Sequence, residues 1–399
     1  MHVLIPTYHF PPLNVVASRR AAGFAKFFSE YGWKVSVLTF DWEGEFEADY
    51  DVIRLPLPEF SDRDFGWKAP GISGIKTLNH YRRGEFDWHV KNHAQAMKMA
   101  MESFIDHHKP DLLFGMFSPH FHITHCAEFG KKHGIPFHID FRDLWNNHLM
   151  NPHHKFGSKE SILHGHIKSH WRQWCEGAIS ISSVADSFVE FLEKLLDRPG
   201  ITVLNGPDEI HSPSSDKFET ITVGHFGNLL PAKDVKPFLE GFSELDDEEQ
   251  QKIDLRFWGA PQELKDRILH HAQELGVDQC CIFEEKVLHE EALRLMRKCH
   301  ALYYPPILGH KGMYSAKVFE YVASGTPVII SPDDQDVVSE LVQSTGTGVI
   351  CKNPKGVKEA LSRLINNDLA MHPNTERLVE ISRKSQTFKL ARFIESRLK

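Results

Sequence analysis

The sequence is poor in the features that mark secreted scaffolds, membrane proteins and nucleic-acid binders. Six cysteines (Cys126, Cys175, Cys280, Cys281, Cys299 and Cys351) are scattered through 399 residues without CxxC spacing. That excludes a disulfide framework or a zinc ribbon and fits a reducing compartment. No apolar run reaches the ~18 residues of a membrane span, and Met1 leads straight into a strand-like segment with no secretory-leader pattern. The expectation is a cytoplasmic protein, with peripheral contact at the inner face of a membrane left open. Basic charge is also short: 46 Lys and Arg against 54 Asp and Glu give a net charge of −8. Such a balance argues against a dedicated nucleic-acid partner. No short repeat or low-complexity tract is visible.

What is present is a globular composition, with 41% hydrophobic and 25% charged residues. The length suits two domains. Short β-branched and aromatic runs predict strands at His2–Pro6, Lys34–Thr39, Asp111–Met116, Pro136–Asp140, Ala178–Ser182 and Ile201–Leu204. A second set falls at Thr220–His225, Ile253–Trp258, Gln279–Phe283, Ala301–Tyr304, Pro327–Ser331 and Gly348–Cys351. Helical periodicity fills 14–32, 89–108, 120–133, 184–196, 234–246, 261–275, 289–298, 315–324 and 354–366, with a basic helix over 374–399. Alternating strands and helices imply parallel sheets with helical crossovers. The pattern runs twice around a Pro-, Gly- and Ser-bearing break at Asp197–Lys217, which predicts two Rossmann-like domains. Segment 41–88 reads as an irregular excursion.

In open parallel sheets ligands bind beyond the carboxyl ends of the strands, so the loops there carry the chemistry. The strongest local signal is Gly309–Gly325, GHKGMYSAKVFEYVASG. A glycine-bearing loop enters a helix whose first turn holds Ser315 and Lys317, and a helix N-terminus with a nearby cation is a natural phosphate site. Glu320, on the same helical face as Lys317, suits a carboxylate accepting hydrogen bonds from ribose hydroxyls. A capped helix with a solvated Lys/Glu pair explains the same residues equally well.

The stretch Ser315-Ala-Lys-Val-Phe-Glu-Tyr-Val-Ala-Ser-Gly-Thr-Pro-Val-Ile resembles the donor-binding signature of GT-B glycosyltransferases, in particular retaining glycosyltransferase family 4 of the bacterial polysaccharide type. Other pieces agree in order. They are the segment from Pro11 to Arg20, Tyr31-Gly-Trp-Lys-Val-Ser-Val-Leu-Thr, Pro110-Asp-Leu-Leu-Phe, Gly134-Ile-Pro-Phe-His-Ile-Asp-Phe-Arg-Asp-Leu-Trp, Leu204-Asn-Gly-Pro-Asp and Gly224-His-Phe-Gly-Asn-Leu. The resemblance implies an α/β GT-B fold, two Rossmann-like parallel-sheet domains facing across a cleft. Residues 1–200 would bind the acceptor and 201–374 the nucleotide sugar, with the helix of 375–399 crossing back to the first domain.

The resemblance also implies roles. Glu320 matches the second glutamate of the family's E-x7-E motif, the ribose ligand, whereas the first falls on Gly312. Backbone N–H groups of Met313, Tyr314, Ser315 and Ala316 would then take over part of the donor contact, with Lys317 on phosphate. Gly227 and Asn228 lead to Lys233, the expected principal cation on the diphosphate, where the family often has an Arg–Lys pair. The base would sit near Gly259 and Lys286–His289, with Val287 and Leu288 as donor contacts. His120 falls where relatives place a histidine against the donor sugar, and Asn14, Arg19, Arg142 and Asp143 line the acceptor side. Arg20 is a further candidate for an anionic acceptor, and Asp140 with Arg142 a candidate buried ion pair.

Of 26 histidines, six lie between residues 148 and 170 (His148, His153, His154, His164, His166 and His170). Their spacing includes one HxxxH but no HExxH or ordered carboxylate set, so they read as an aromatic-lined lip with Trp145, Trp171 and Trp174 and not as a metal site. The implied activity is metal-independent, retaining transfer of a hexosyl unit from a UDP-linked donor to a hydroxyl of a glycan or lipid-linked acceptor. The nucleotide sugar is a substrate and no cofactor is expected. A nucleotide-sugar 2-epimerase and a non-catalytic nucleotide-sugar-binding member of a polysaccharide assembly are the alternatives.

Overall fold

The computed structural model describes residues 1–58, 82–84, 90–142, 144, 159–228, 235–309 and 311–398. They form two compact units, Met1–Leu204 with Arg383–Lys399, and Asn205–Ser382. The divisions fall at 204/205 and 382/383, where the sequence placed them at 200/201 and 374/375.

Among the described residues the first unit runs β1 (His2–Pro6), α1 (Val16–Glu30), β2 (Lys34–Phe40), β3 (Asp51–Leu55), α2 (Lys91–His108), β4 (Leu112–Phe117), α3 (Phe121–His133), β5 (Phe137–Phe141), α4 (Lys159–Cys175), β6 (Ser180–Ser183), α5 (Asp186–Leu196) and β7 (Gly200–Thr202). The second unit begins with β8 (Ile221–Phe226), α6 (Lys236–Ser243), α7 (Asp247–Gln250), β9 (Ile253–Trp258), α8 (Gln262–Glu274) and β10 (Cys281–Glu284). It continues with α9 (His289–Lys298), β11 (Ala301–Tyr304), α10 (Ala316–Ala323), β12 (Val328–Ile330), α11 (Val337–Thr345), β13 (Gly348–Ile350), α12 (Pro354–Ile365) and α13 (Thr375–Ile381). The closing helix α14 (Arg383–Glu395) returns to the first unit.

Each unit is built on one parallel sheet, ordered β3-β2-β1-β4-β5-β6-β7 in the first and β10-β9-β8-β11-β12-β13 in the second. Strand order reverses between β1 and β4 and again between β8 and β11. Such switch points are where loops from adjacent strands diverge and leave a crevice. Buried strands of this kind read as near-continuous apolar runs because helices cover both faces. β4, Leu-Leu-Phe-Gly-Met-Phe, is buried at every position.

Three sequence expectations change here. Segment 41–88 contains strand β3, which pairs with β2 from Ser36↔Asp51 to Phe40↔Leu55. None of its five residues is fully buried, as befits the edge of the sheet, so it lacks a clear apolar signal. Three helices were not anticipated, α4, the four-residue α7 and α11. α4 carries Gly165 and four polar or charged residues after it before Trp171, so its periodicity is diluted. α11 spans only nine residues between Asp336 and Gly346, whose φ of +63° ends it in the left-handed turn that glycine accepts. The basic C-terminal helix is in fact two helices, broken at Ser382.

The first core joins Val3, Ile5, Phe24, Phe28, Trp33, Val35 and Phe114 to Leu390, Ala391 and Ile394 of α14. Glu395 of α14 accepts hydrogen bonds from Trp33 Nε1 at 3.0 Å and the Tyr31 hydroxyl at 3.2 Å. The second core joins Phe238, Leu239, Leu255, Phe257, Val357 and Leu361, with Phe238 stacked on Tyr303 at 3.9 Å between centroids.

Candidate functional site

In the second unit the carboxyl ends of β8 and β11 bring together most of the loop residues singled out above. β8 ends at Phe226, whose backbone N–H donates to the Tyr321 hydroxyl at 2.8 Å and whose ring stacks on Trp258 at 4.4 Å. The chain then turns at Gly227, φ +77°, with its N–H donating to Trp258 O at 2.7 Å. A Cβ there would lie 3.2 Å from Lys317 Nζ, so only glycine gives the lysine this approach. Lys317 Nζ donates to the carbonyl of Asn228 at 2.5 Å. Gly227, Asn228 and Lys317 therefore meet across the switch point.

Burial pushes the Lys317 ammonium down to about 8, partly opposed by the Glu320 carboxylate nearby. Desolvation penalises a charge without a counter-ion, so an arriving anion would be held more strongly here than by a lysine in open water. Ser315, the residue before α10, does not cap the helix with its side chain; its hydroxyl pairs with Tyr304 OH at 2.8 Å. That partnership leaves the first turn of α10 without a side-chain cap. Burial raises the Tyr304 hydroxyl to about 12, so it stays neutral.

Glu320 lies one turn further along α10, and His289 Nε2 stands 3.8 Å from its Oε1. His289 opens α9, whose preceding residue, Leu288, is 77% exposed and supplies no cap. Val287 and Leu288 lie in the loop between β10 and α9, just before His289. Met313 and Tyr314 lie between the Gly312 turn and Ser315, with the Tyr314 ring 5.1 Å from that of Phe319. Gly312, at φ +76°, donates its N–H to Asp336 Oδ2 at 2.6 Å. A glutamate at 312 would have to adopt this left-handed backbone, which accounts physically for glycine at that position. Lys233 lies outside the described residues.

In the first unit the equivalent ends are those of β1, β4 and β5. His120 precedes α3, is buried, and packs against Phe117 at 4.8 Å and Trp171 at 5.9 Å. Arg142 follows β5 and faces His9, which follows β1 and is hydrogen-bonded to the Ser118 backbone. Burial first, then the Arg142 charge, hold the His9 imidazole down to about 4, so it is neutral near pH 7. Asn14 is exposed ahead of α1, and Arg19 lends its carbonyl to Arg383 Nη1 at 3.3 Å. Asp143 lies outside the described residues, as do His148, His153 and His154.

Two assignments are corrected. Arg20 is buried and makes a bidentate pair with Asp140, at 2.8 and 2.7 Å, so it is a structural cation and not an acceptor contact. Asp140 consequently pairs with Arg20 instead of Arg142. Two groups that sequence reasoning missed, His9 and Asp336, take part in these clusters. Each is separated in sequence from the groups it meets by at least 24 residues, so no local pattern announces it. Among the described residues no group of three or more His, Cys, Asp or Glu is placed to hold a metal ion, and no helix is long and apolar enough to cross a membrane.

Comparison with known proteins places this geometry. Residues 208–385, most of the second unit, match the family described as glycosyl transferases group 1. No curated protein matches the sequence. Solved structures match over nearly the whole chain. Sucrose-phosphate synthase from Thermosynechococcus elongatus is 12% identical, with TM-score 0.63, covering 99% of this chain and 98% of that one. A glycosyltransferase from Rickettsia africae is 10% identical, with TM-score 0.62 and coverage of 100% and 98%. HepE from Anabaena, solved in complex with UDP and glucose, is 14% identical, with TM-score 0.59 and coverage of 99% and 100%. At such identities the likeness is one of fold, and the fold is that of GT-B glycosyltransferases: two α/β units, each on a parallel sheet.

Proposed function

We propose that this chain is a glycosyltransferase that moves a hexosyl unit from a UDP-linked donor to a hydroxyl of a glycan or lipid-linked acceptor, with retention and without a metal. The observation that carries the reading is the convergence of Lys317, Glu320, Gly227 and the uncapped first turn of α10 at the β8/β11 switch point, within the segment that matches glycosyl transferases group 1. The fold neighbour solved with UDP and glucose agrees with a nucleotide-sugar donor of this kind.

In this reading the donor diphosphate sits over the first turn of α10. Amides of Met313, Tyr314, Ser315 and Ala316 and the Lys317 ammonium neutralise the charge that grows on the leaving group, a role that a preorganised set of donors fills at low reorganisation cost. Lys233 adds a second cation from the loop after β8. Glu320 accepts hydrogen bonds from the ribose hydroxyls, with His289 beside it, and the backbone of Val287–Leu288 reads the base. His120 contributes a contact to the donor sugar, while Asn14, Arg19, Arg142 and Asp143 receive the acceptor. The leaving diphosphate itself takes the acceptor proton as the C1–oxygen bond to the donor phosphate breaks and the bond to the acceptor oxygen forms, so no separate enzyme base is required.

Glu320→Ala tests the assignment. UDP affinity measured by calorimetry should fall by ~10- to 100-fold, the value of one or two hydrogen bonds to a charged group. Unchanged UDP binding and unchanged transfer would remove Glu320 from the site. Incubation with UDP-sugar alone, followed by NMR, separates transfer from epimerisation, since an epimerase needs no acceptor.

A further inference from the structure

The turn before α10 is held by a carboxylate whose placement the ordinary rules of helix capping do not explain. Asp336 stands immediately before α11, the position at which an aspartate normally accepts the helix's own first N–H groups. Here it makes no such bond. Those N–H groups are taken by Asp334, whose Oδ2 accepts from Val338 N at 3.1 Å and whose Oδ1 accepts from Ser339 N at 2.9 Å. Asp333 adds a bond from the Ser339 hydroxyl at 2.8 Å. Asp336 is thereby released from capping, and its Oδ2 crosses to the neighbouring loop to accept the Gly312 N–H at 2.6 Å.

The consequence for the loop is geometric. Its far end is fixed by the Tyr304–Ser315 hydroxyl pair, and its near end by Asp336 on Gly312. Only Met313 and Tyr314 lie between the two anchors. Gly312 adopts φ +76° and so contributes little stiffness of its own, because glycine is the residue with the most backbone freedom. An anchor supplied by an ionised group to a backbone N–H is about twice as strong as a neutral one.

Resting on the donor-site reading above, we propose that Asp336 is a positioning residue for the donor diphosphate: by holding Gly312 it aims the amides of residues 313–316 and the adjoining Lys317 at the β-phosphate. It acts through the turn and does not itself touch the donor. UMP, which lacks the β-phosphate, should therefore be indifferent to it, and UDP should not.

The test compares Asp336→Ala and Asp336→Asn with the unaltered protein, using UDP and UMP as probes in calorimetry and hydrogen exchange of the unliganded protein over residues 311–317. Because Asp334 caps α11, both variants should fold with unchanged thermal midpoints. The expected result for Asp336→Ala is faster exchange at 312–316 and a ~10-fold or greater fall in the UDP:UMP affinity ratio, with UMP affinity unmoved, the usual consequence of losing a charge-assisted hydrogen bond. Asp336→Asn, whose side-chain oxygen still accepts the Gly312 N–H, should restore most of both. Unchanged exchange, or an unchanged UDP:UMP ratio in Asp336→Ala, would overturn the assignment while leaving the donor site standing. An unaltered protein that bound neither nucleotide would overturn the donor site and this role with it.

Discussion

The two units share a sheet order and a switch point, and around that point they use polar groups in opposite ways. In the first unit Arg20, Asp140, Ser182 and His138 form one buried chain: Arg20 pairs with both Asp140 oxygens, Ser182 donates to Asp140 at 2.7 Å, and His138 Nε2 meets Ser182 Oγ at 2.9 Å. Ser182 has one proton and gives it to Asp140, so it accepts from His138 Nε2–H, and His138 Nδ1 accepts from Ser180 at 2.8 Å. Each member satisfies another member. At the β8/β11 point of the second unit, by contrast, Lys317 donates to a neutral carbonyl oxygen, that of Asn228, with the Glu320 carboxylate nearby. A network that is internally complete stabilises the fold. One whose cation has a weak partner is suited to exchanging that partner for a ligand.

The largest effect that would sharpen this contrast is Arg20→Ala. Removing one partner of a buried pair leaves Asp140 charged and uncompensated, and should cost about 3–5 kcal/mol of stability in chemical denaturation. UDP affinity of the folded protein should stay within about twofold, since Asp140, Ser182 and His138 all belong to the first unit. A variant that kept its stability, or that stayed folded and lost UDP, would break the division of labour.

Acid should act on the same unit. Burial holds His138 down to about 3 and His9 to about 4, against an unfolded value of about 6.5. Between those values the unfolded chain binds protons that the folded one refuses, so stability is full above pH ~6.5 and is lost as pH falls toward 4. Each histidine contributes about 1.4 kcal/mol per pH unit over that window. Denaturant midpoints at pH 7, 6 and 5 should decline, and His138→Gln should flatten the slope. A midpoint constant from pH 7 to 5 would show that these imidazoles are not held neutral by the fold.

How much of this was legible in the sequence follows from distance along the chain. Strands His2–Pro6 and Ala301–Tyr304 coincide with expectation because a buried parallel strand is a near-contiguous apolar run, and Ile253–Trp258 coincides through the alternation of Ile253, Leu255 and Phe257 with Asp254 and Arg256. Ser315, Lys317 and Glu320 were legible because one helix turn sets their spacing. Arg20 and Asp140 are 120 residues apart, and nothing local distinguishes an arginine that will be fully buried on α1 from its half-buried neighbour Arg19. Asp336 carried no signal in the sequence, because the helix it precedes was not anticipated. Only the structure shows that Asp334 caps that helix.

Gly227→Ala probes the second unit with a smaller effect. The added Cβ meets Lys317 Nζ at 3.2 Å and must adopt a positive φ, so it costs about 1 kcal/mol in backbone strain and displaces the ammonium. UDP affinity should fall several-fold with a thermal midpoint only slightly lowered. If UDP binding were untouched, the close approach of Gly227 to Lys317 would have no bearing on the ligand.

The smallest effect lies at the alkaline end. Lys317 is held down to about 8 by burial, so its ammonium is largely present at pH 7 and lost as pH rises through 8. A bound diphosphate favours the charged form, and binding must then include the cost of protonating the lysine above that pH. UDP affinity should therefore change by about twofold between pH 7 and 8 and approach a tenfold fall per unit beyond it, the limit for one coupled proton. Lys317→Met should bind UDP more weakly at pH 7 and show a flatter profile above 8. Stability of the first unit should not follow this curve, because His9 and His138 are already neutral in both folded and unfolded chains at that pH. Calorimetry and denaturation measured across pH 5 to 9 on one preparation would then separate an acid limb in stability from an alkaline limb in binding. A single limb shared by both measurements would mean that the polar groups of the two units are coupled, and that the contrast between a closed network and an open one does not hold.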